Sequence, residues 1–276
     1  MADPSFYMRY PGFLNKAVTL SYDDGITPDL RLADILDRHG LKCTFNVNAG
    51  YLGAPMTRIP GRRLIAEELA ALAARGHEIA AHGYKHKWMT ALPSPQVLYE
   101  AVRDRTELEA ILHRPVTGLA YAMGDYDNRV IELLRKAGVS YARTVHSTHS
   151  FRTPIEPLAW HPTCHHNDPK LMELAKSFAE NTSDSDRPLL FYLWGHSYEF
   201  EEGGNWDIIE RFASFMGGRE DFWYVTNGEL IAYMNAYRSL RFEADGKRVY
   251  NPSALDVYFF KDGKNLCAAA GKTTIL

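Results

Sequence analysis

Three short segments of the sequence hold side chains that could carry out hydrolysis. The first contains two adjacent carboxylates, Asp23 and Asp24, followed by a glycine. The second contains His82 and His86, four residues apart, and the third ends at His196. Two histidines and one carboxylate make a three-ligand set for a divalent metal, and such a set leaves positions open for water and substrate. A further histidine suits a general acid that protonates a leaving group. Taken singly, each segment also fits an ordinary role, such as a helix cap or a loop histidine.

Each of these segments directly follows a run of residues that predicts a β-strand: 17–22, 77–81 and 189–193. Predicted strands alternate along the chain with amphipathic helices, and this alternation indicates βαβ units and a parallel sheet. We therefore predict an α/β fold, a distorted (β/α) barrel of about seven units. Enzymes with this architecture place their chemistry at the carboxyl ends of the strands, where the three segments would meet.

Two helix boundaries carry specific predictions about capping. Thr27 precedes a proline and is predicted to cap a helix that ends near residue 39. Asn227 is predicted to cap the last helix of the barrel, which reaches about Tyr237.

The pattern changes after the last predicted helix. Segments 241–244, 248–251 and 255–261 resemble short strands separated by Asp-Gly pairs, which favour hairpin turns. We therefore expect two parts, a barrel over residues 1–238 and a small antiparallel β appendage over residues 239–276 that packs on it.

Composition restricts the possible function classes. The 276 residues include 31 Lys and Arg against 34 Asp and Glu, a net charge of -3 that argues against binding nucleic acid through bulk charge. No apolar run approaches the ~20 residues that a membrane span requires, so no membrane partner is expected.

Three cysteines without a Cys-x-x-Cys pair and the absence of a leader-like start predict a reducing, cytoplasmic setting. Removal of a leader would leave the same pattern, so that alternative stays open. Nothing in the sequence indicates the oligomeric state.

The three segments together resemble the polysaccharide deacetylase family, carbohydrate esterase family 4, also known as the NodB-homology domain. Its first motif, (T/S)(F/Y)DDG, matches residues 21–25 in full. Its second, H(S/T)xxH, matches residues 82–86 except that Gly83 replaces the hydroxyl residue. Its last, Leu-x-x-His, matches residues 193–196. The order and separations of the motifs also agree, and the resemblance covers roughly residues 16–237.

The resemblance implies a role for each matching side chain. Asp23 would be the general base that activates the attacking water. Asp24, His82 and His86 would bind one divalent metal, for which zinc is the first candidate and cobalt, nickel or manganese remain open. His196 would protonate the departing amine or alcohol.

Two motifs of the family are altered in this sequence. The third motif, approximately RxPYG, is replaced by Ala-Tyr-Ala-Met-Gly at 120–124, so its arginine is missing. Met123 could still offer its backbone N–H to an oxyanion. We predict that Arg143, at the end of the next predicted strand, reaches Asp23 in place of the lost arginine; the alternative is an exposed surface arginine. The fourth motif, which tunes the catalytic histidine, has no clean match.

Aromatic residues near the strand ends are candidates for contact with a sugar. We expect Trp88, Tyr121, Trp160 and Trp194 to bind substrate, with core packing as the alternative for any one tryptophan. The segment Cys-His-His-Asn-Asp at 164–168 allows two interpretations, a second metal site or a polar loop of the barrel.

These observations together predict a metal-dependent deacetylase that acts on an acetylated saccharide, most simply on the N-acetyl groups of N-acetylglucosamine-type units. An O-acetyl esterase acting on polysaccharide such as xylan would use the same residues. A protein of another class, a glycan receptor on a degenerate deacetylase fold, would not need base, metal ligands and acid together. Without an export signal, a small or soluble saccharide is the expected substrate.

Overall fold

A computed structural model describes residues 6–56, 60–181 and 187–276. The strands are β1 (Phe6–Arg9), β2 (Lys16–Asp23), β3 (Cys43–Val47), β4 (Glu78–Ala81), β5 (Gly118–Ala120), β6 (Tyr141–Arg143), β7 (Cys164–His165), β8 (Leu189–Gly195), β9 (Phe222–Tyr224), β10 (Arg241–Phe242), β11 (Arg248–Tyr250), β12 (Val257–Lys261), β13 (Lys264–Ala268) and β14 (Thr273–Ile275). The α-helices are α1 (Pro28–Arg38), α2 (Ala66–Ala74), α3 (Ser94–Leu112), α4 (Asn128–Lys136), α5 (Leu171–Glu180), α6 (Tyr198–Gly203), α7 (Asp207–Met216) and α8 (Asn227–Arg238). No helix within the described ranges is both long and apolar enough to cross a membrane.

The central parallel sheet has the strand order β6-β5-β4-β3-β2-β8-β7, and β9 pairs with the first half of β2. Every residue of β2 is buried, as expected for a strand covered on both faces. The sheet curls until its two ends approach each other. Trp160, just before β7, donates its backbone N–H to Ala142 and accepts from Thr144, so it joins the edge of β6. The predicted distorted (β/α) barrel is confirmed.

Most predicted elements are present with ends shifted by a few residues, but five were not predicted. These are β1, the two-residue strand β7, the short helix α6, and the last two strands, β13 and β14. β7 and α6 are too short to show a periodic pattern of apolar residues, which is the signal that identifies longer elements.

The expectation that Thr27 caps α1 is wrong. Its side chain makes no capping hydrogen bond. Asp29, inside the first turn, accepts the Ile26 N–H at 2.8 Å instead. This bond holds the residue that precedes the helix and caps no N–H of its first turn.

The expectation that Asn227 caps α8 is also wrong, because the preceding residue, Thr226, is the cap. Thr226 accepts the Glu229 N–H through its side chain, and the Glu229 carboxylate accepts the Thr226 N–H at 2.9 Å. This reciprocal pair is a capping box.

Asn227 instead belongs to a polar network inside the barrel. Its side-chain oxygen accepts from Thr19 at 2.8 Å, and its amide group donates to the Tyr192 hydroxyl. Its backbone N–H donates to the Thr44 hydroxyl, which in turn donates to Glu78 at 2.8 Å. Barrel interiors are usually filled by branched apolar side chains, so this network is a distinctive feature of the protein.

The C-terminal segment forms two small antiparallel sheets, with strand orders β1-β12-β13 and β10-β11-β14. The antiparallel β structure predicted for the appendage is present, and one of its sheets includes the strand β1 from the start of the chain. Helix α8 contacts this sheet: the Tyr233 hydroxyl donates to the Arg9 carbonyl and accepts the Tyr258 N–H. The division of the chain at residue 238 stays a prediction.

The two threonines give a matched test of helix capping. We expect Thr226→Ala to lower the free energy of unfolding by about 1 kcal/mol, because an orphan N–H of α8 loses its acceptor. Thr27→Ala should change it by less than about 0.5 kcal/mol, the usual range for a substitution that removes no specific contact. Urea unfolding with a common m-value measures both. Equal losses in the two variants would contradict the assignment of the caps.

Candidate active site

The predicted segments meet at the carboxyl ends of β2, β4 and β8, where they line a cleft of about 770 Å³. All five side chains that the motifs single out face this cleft: Asp23, Asp24, His82, His86 and His196. The parallel sheet brings these residues together because it presents the same ends of its strands at one edge.

Asp23 is a buried carboxylate, only 2% exposed, with a hydrogen-bond donor on each oxygen. Arg143 contacts Oδ2, and the Asn46 side chain donates to Oδ1 at 2.8 Å. Burial by itself would raise the pKa of Asp23, but the Arg143 charge and hydrogen bond outweigh it and lower the pKa to about 2. Asp23 is therefore ionised at neutral pH. Sequence reasoning missed Asn46, whose only signal is a polar residue within a buried strand.

The contact predicted between Arg143 and Asp23 is thus present, and the alternative of a surface arginine is wrong. Arg143 is completely buried, and its guanidinium lies over the Trp194 ring with 4.5 Å between the guanidinium carbon and the ring centroid. A planar guanidinium can pair with a carboxylate and stack on an aromatic ring at once, which a lysine cannot do equally well.

Asp24, His82 and His86 form a candidate metal centre. One ligand atom from each residue lies within 4.8 Å of the others. Asp24 and His86 both adopt a positive φ, of 86° and 51° respectively. These left-handed turns direct side chains from two different loops toward one point, which a regular strand continuation would not do.

His82 has the protonation state that a metal ligand needs. Burial and the nearby His86 lower its pKa to about 4, so the imidazole is neutral at pH 7. Nδ1 lies 2.9 Å from the Ala120 carbonyl, which assigns the proton to Nδ1 and leaves a lone pair on Nε2. Nε2 is buried and has no hydrogen-bond partner among the residues that the structure describes. A buried nitrogen with a free lone pair beside two other ligands fits a bound cation.

The loop that carries the two histidines is held by residues that sequence reasoning missed. Asp104 accepts the His82 N–H at 2.9 Å and the Ala49 N–H at 2.6 Å, and Asn48 donates to the His82 carbonyl at 2.8 Å. Gly83, where the family motif has a hydroxyl residue, adopts a φ of 80°. Glycine adopts that conformation without steric cost, which accounts for the departure from the motif.

Arg63 is a second arginine at the site. Its Nη1 lies 2.9 Å from Oδ1 of Asp24, and it also contacts the Asp24 carbonyl. Burial would raise the pKa of Asp24, but the interactions with His82 and with the charged Arg63 lower it, so the carboxylate is ionised. Arg63 lies 39 residues after Asp24 in the chain, too far for sequence spacing to indicate the contact.

His196 faces Asp23, with 3.9 Å between its Nε2 and the carboxylate Oδ2. Its Nδ1 lies 2.9 Å from Oε1 of Glu199, in the first turn of α6. Burial would lower the pKa of His196, but the Glu199 hydrogen bond and the Asp23 charge outweigh it and raise the pKa. Glu199 thus occupies the role for which the fourth motif has no clean match. A histidine followed three residues later by glutamate was the available signal.

A second group, His165, His166 and Glu199, also brings three possible ligand atoms within 4.8 Å of one another. Both imidazole Nε2 atoms approach Oε2 of Glu199, at 3.4 and 3.0 Å. The Asn167 N–H donates to His165 Nδ1 at 3.1 Å, so the proton of that neutral imidazole resides on Nε2. His165 therefore has no lone pair directed at a cation. His166 is 1% exposed, and neither of its ring nitrogens has a hydrogen-bond partner among the described residues, so the second metal site at 164–168 stays one of the two interpretations.

The predicted sugar-contacting residues divide into two groups. Trp194 lines the cleft, as does Met123, which has a φ of 57°. Tyr121 also borders the cleft, but its side chain is completely buried and its hydroxyl donates to the Leu158 carbonyl at 2.7 Å. The expectation for Trp160 is wrong. Its side chain is 1% exposed, and its indole packs against Tyr141 and Tyr192 in a buried apolar cluster. Trp88 is 55% exposed but does not line the cleft.

Comparisons with known proteins agree with this geometry. Residues 12–142 match the family model described as polysaccharide deacetylase. The protein YxkH of Bacillus subtilis (strain 168), named for a polysaccharide deacetylase, is 23% identical over 124 residues. That match covers 45% of this chain and 42% of the relative, so the chain aligns with less than half of the relative's length.

Solved structures share the fold. A Mycobacterium smegmatis protein named for a polysaccharide deacetylase is 18% identical, with a TM-score of 0.61 over 84% of this chain and 94% of that one. A family 4 carbohydrate esterase from Streptomyces lividans, solved in complex with acetate, is 16% identical, with a TM-score of 0.50 over 76% of this chain and 91% of that one. Residues 12–142 are thus similar to the polysaccharide deacetylase family in sequence, and most of the chain shares its fold with these solved structures.

Proposed function

We propose that the protein is a metal-dependent hydrolase that removes acetyl groups from a saccharide, most simply the N-acetyl group of an N-acetylglucosamine-type unit. The observation that carries this proposal is the buried, unsatisfied Nε2 of His82, which converges with Asp24 and His86 beside the ionised Asp23. A glycan receptor would have no need to keep an ionised base and an acid at such a centre.

Asp24, His82 and His86 would hold the metal, for which two imidazoles and one carboxylate make zinc the first candidate. A cation at this position supplies Lewis acidity, which polarises an acetyl carbonyl and makes water a stronger acid. The hydrogen bond from His82 Nδ1 to the Ala120 carbonyl would orient the imidazole toward the metal.

Asp23 and His196 would carry out the proton transfers. Asp23, kept ionised by Arg143, accepts a proton from the water that attacks the acetyl carbon. His196, whose pKa is raised, donates a proton to the leaving nitrogen or oxygen as its bond to the acetyl carbon breaks. The products are acetate and a free amine or alcohol. Two groups in one cleft with opposite pKa shifts are the pattern expected of a base and an acid.

The oxyanion formed during the attack would be held in part by the backbone N–H of Met123. This residue lies in a short turn at the edge of the cleft, in the left-handed region that non-glycine residues adopt at a cost of about 1–3 kcal/mol. A strained turn beside a reacting group is consistent with a positioned backbone donor.

A cleft of about 770 Å³ lies within the ordinary size of small-molecule sites and can hold a small acetylated saccharide. Trp194 would provide an aromatic contact. An O-acetyl ester could use the same groups, because attack and proton transfer are the same for an ester and an amide.

The direct test is acetate release from N-acetylglucosamine oligomers and from acetylated xylan, with and without a chelator. We expect release that the chelator abolishes. Asp23→Asn should lose about 10²-fold or more of kcat while it retains the metal, because only the proton acceptor is removed. Asp262→Asn, on an exposed hairpin, is the matched control and should retain full activity. Saccharide binding without acetate release by the unaltered protein would indicate a receptor.

Metal content tests the ligand set separately from activity. His86→Ala should hold far less than one zinc per chain after dialysis, because two ligands and water bind the ion more weakly than three. His165→Ala removes an imidazole from the other histidine group and should keep one zinc per chain. Elemental analysis of both variants measures the difference, and a His86→Ala protein with full zinc occupancy would remove His86 from the ligand set.

Glu199 should control the pH dependence of the reaction. Its carboxylate favours the protonated form of His196, so Glu199→Gln should lower the pKa of His196 and move the basic limb of the kcat profile to lower pH. The loss at neutral pH should stay below the ~10²-fold expected when the acid itself is removed. Glu201→Gln, on the same helix and paired only loosely with Arg31 at 3.7 Å, is the control and should leave the profile in place. An unshifted limb in Glu199→Gln would exclude this role.

A further inference from the structure

Within the described ranges, the basic side chains that line the cleft outnumber the acidic ones. Its acidic lining residues within the described ranges are Asp23 and Asp24. Each already has an arginine partner, Arg143 for the first and Arg63 for the second. Neither carboxylate is therefore left over to pair with a lysine of this lining.

Two lysines in the same lining have no acidic partner among the described residues. Lys85 is held in place by the Gly50 carbonyl and lies over the Tyr51 ring, with 4.7 Å from Nζ to the ring centroid. Lys87 is exposed and makes no ion pair with any residue that the structure describes. The two lysines flank His86, a proposed metal ligand, so the chain itself keeps them next to the reaction centre.

Apolar side chains line the same cleft. Met123 and Val145 are among its lining residues and are 51% and 40% exposed. A ligand in this cleft would therefore meet apolar surface as well as uncompensated positive charge.

The protein as a whole carries a net charge of -3, so a positive cleft cannot be explained by a generally basic surface. Clefts with low-dielectric walls concentrate the field of the charges inside them, and a divalent cation at Asp24 would add to the same sign. Such a cleft favours an anionic ligand over a neutral one of the same shape.

Resting on the proposed function, we propose that the acetylated saccharide carries an anionic substituent, a carboxylate or a phosphate, which contacts Lys85 and Lys87. The apolar face of the sugar ring would pack on Met123 and Val145. The anchoring of Lys85 by Gly50 reduces the side-chain entropy that binding would otherwise cost.

Binding by the zinc-loaded full-length protein tests this inference without requiring turnover. The probes are N-acetylglucosamine, its 6-phosphate and its 3-O-lactyl ether, which carries a carboxylate. We expect calorimetry to give a Kd about tenfold lower for an anionic probe than for the neutral one in 10 mM NaCl. The advantage should nearly vanish in 1 M NaCl, where the Debye length falls from about 30 to about 3 Å. Tighter binding of only one anionic probe identifies the substituent, and equal Kd values for all three overturn the inference.

Variants locate the effect. Lys87→Met should reduce the ratio of the neutral to the anionic Kd severalfold, and Lys85→Met should do so as well. Lys264→Met, at an exposed position of the appendage, should leave the ratio unchanged. Zinc content and circular dichroism confirm that each variant is folded. If the ratio of the neutral to the anionic Kd is unchanged in both Lys85→Met and Lys87→Met, the proposed role of these lysines is overturned.

Acetate release from the same probes separates this inference from the proposed function. Release without any preference in binding would support the deacetylase function and overturn the anionic substrate. A binding preference without release from any probe would support anion recognition and overturn the deacetylase function.

Discussion

Two opposite charges meet inside the barrel, where Arg143 contacts Asp23 and both side chains are almost completely removed from water. Taking one charge out of water costs several kcal/mol, so neither residue could remain buried in its charged form without the other. The pair requires β2 and β6, which lie four strands apart in the sheet, to face each other across the interior. Curling of the sheet meets that requirement, and Trp194 and Asn46 complete the surroundings of the two charges.

The same buried pair sets the chemistry of the cleft. Arg143 uses its charge to keep Asp23 ionised, and the ionised Asp23 in turn helps to keep His196 protonated. Glu199 acts on His196 in the same direction from the opposite side of the ring. A carboxylate with a low pKa and an imidazole with a raised pKa can coexist 3.9 Å apart because each stabilises the charged form of the other.

Local sequence patterns determined the architecture and the core of the site. The alternation of strands and amphipathic helices predicts the barrel, because hydrophobic periodicity reflects which face of each element is buried. The position of the aspartates and histidines directly after predicted strands indicated that they would meet, because all parallel strands end at the same edge. The choice of Asp24, His82 and His86 as the metal ligands came from the resemblance to the family motifs. Short elements such as β7 and α6 could not be predicted, since a few residues do not show a period.

Only the tertiary structure decided which distant side chains meet. The sequence suggested that Arg143 could reach Asp23, but it equally allowed a surface arginine, and curling of the sheet selects between them. The partnership of Arg63 with Asp24 and the burial of Trp160 left no signal in the local pattern. Secondary structure follows from residues close in sequence, whereas burial, ion pairs and pKa values depend on how loops far apart in the chain come together.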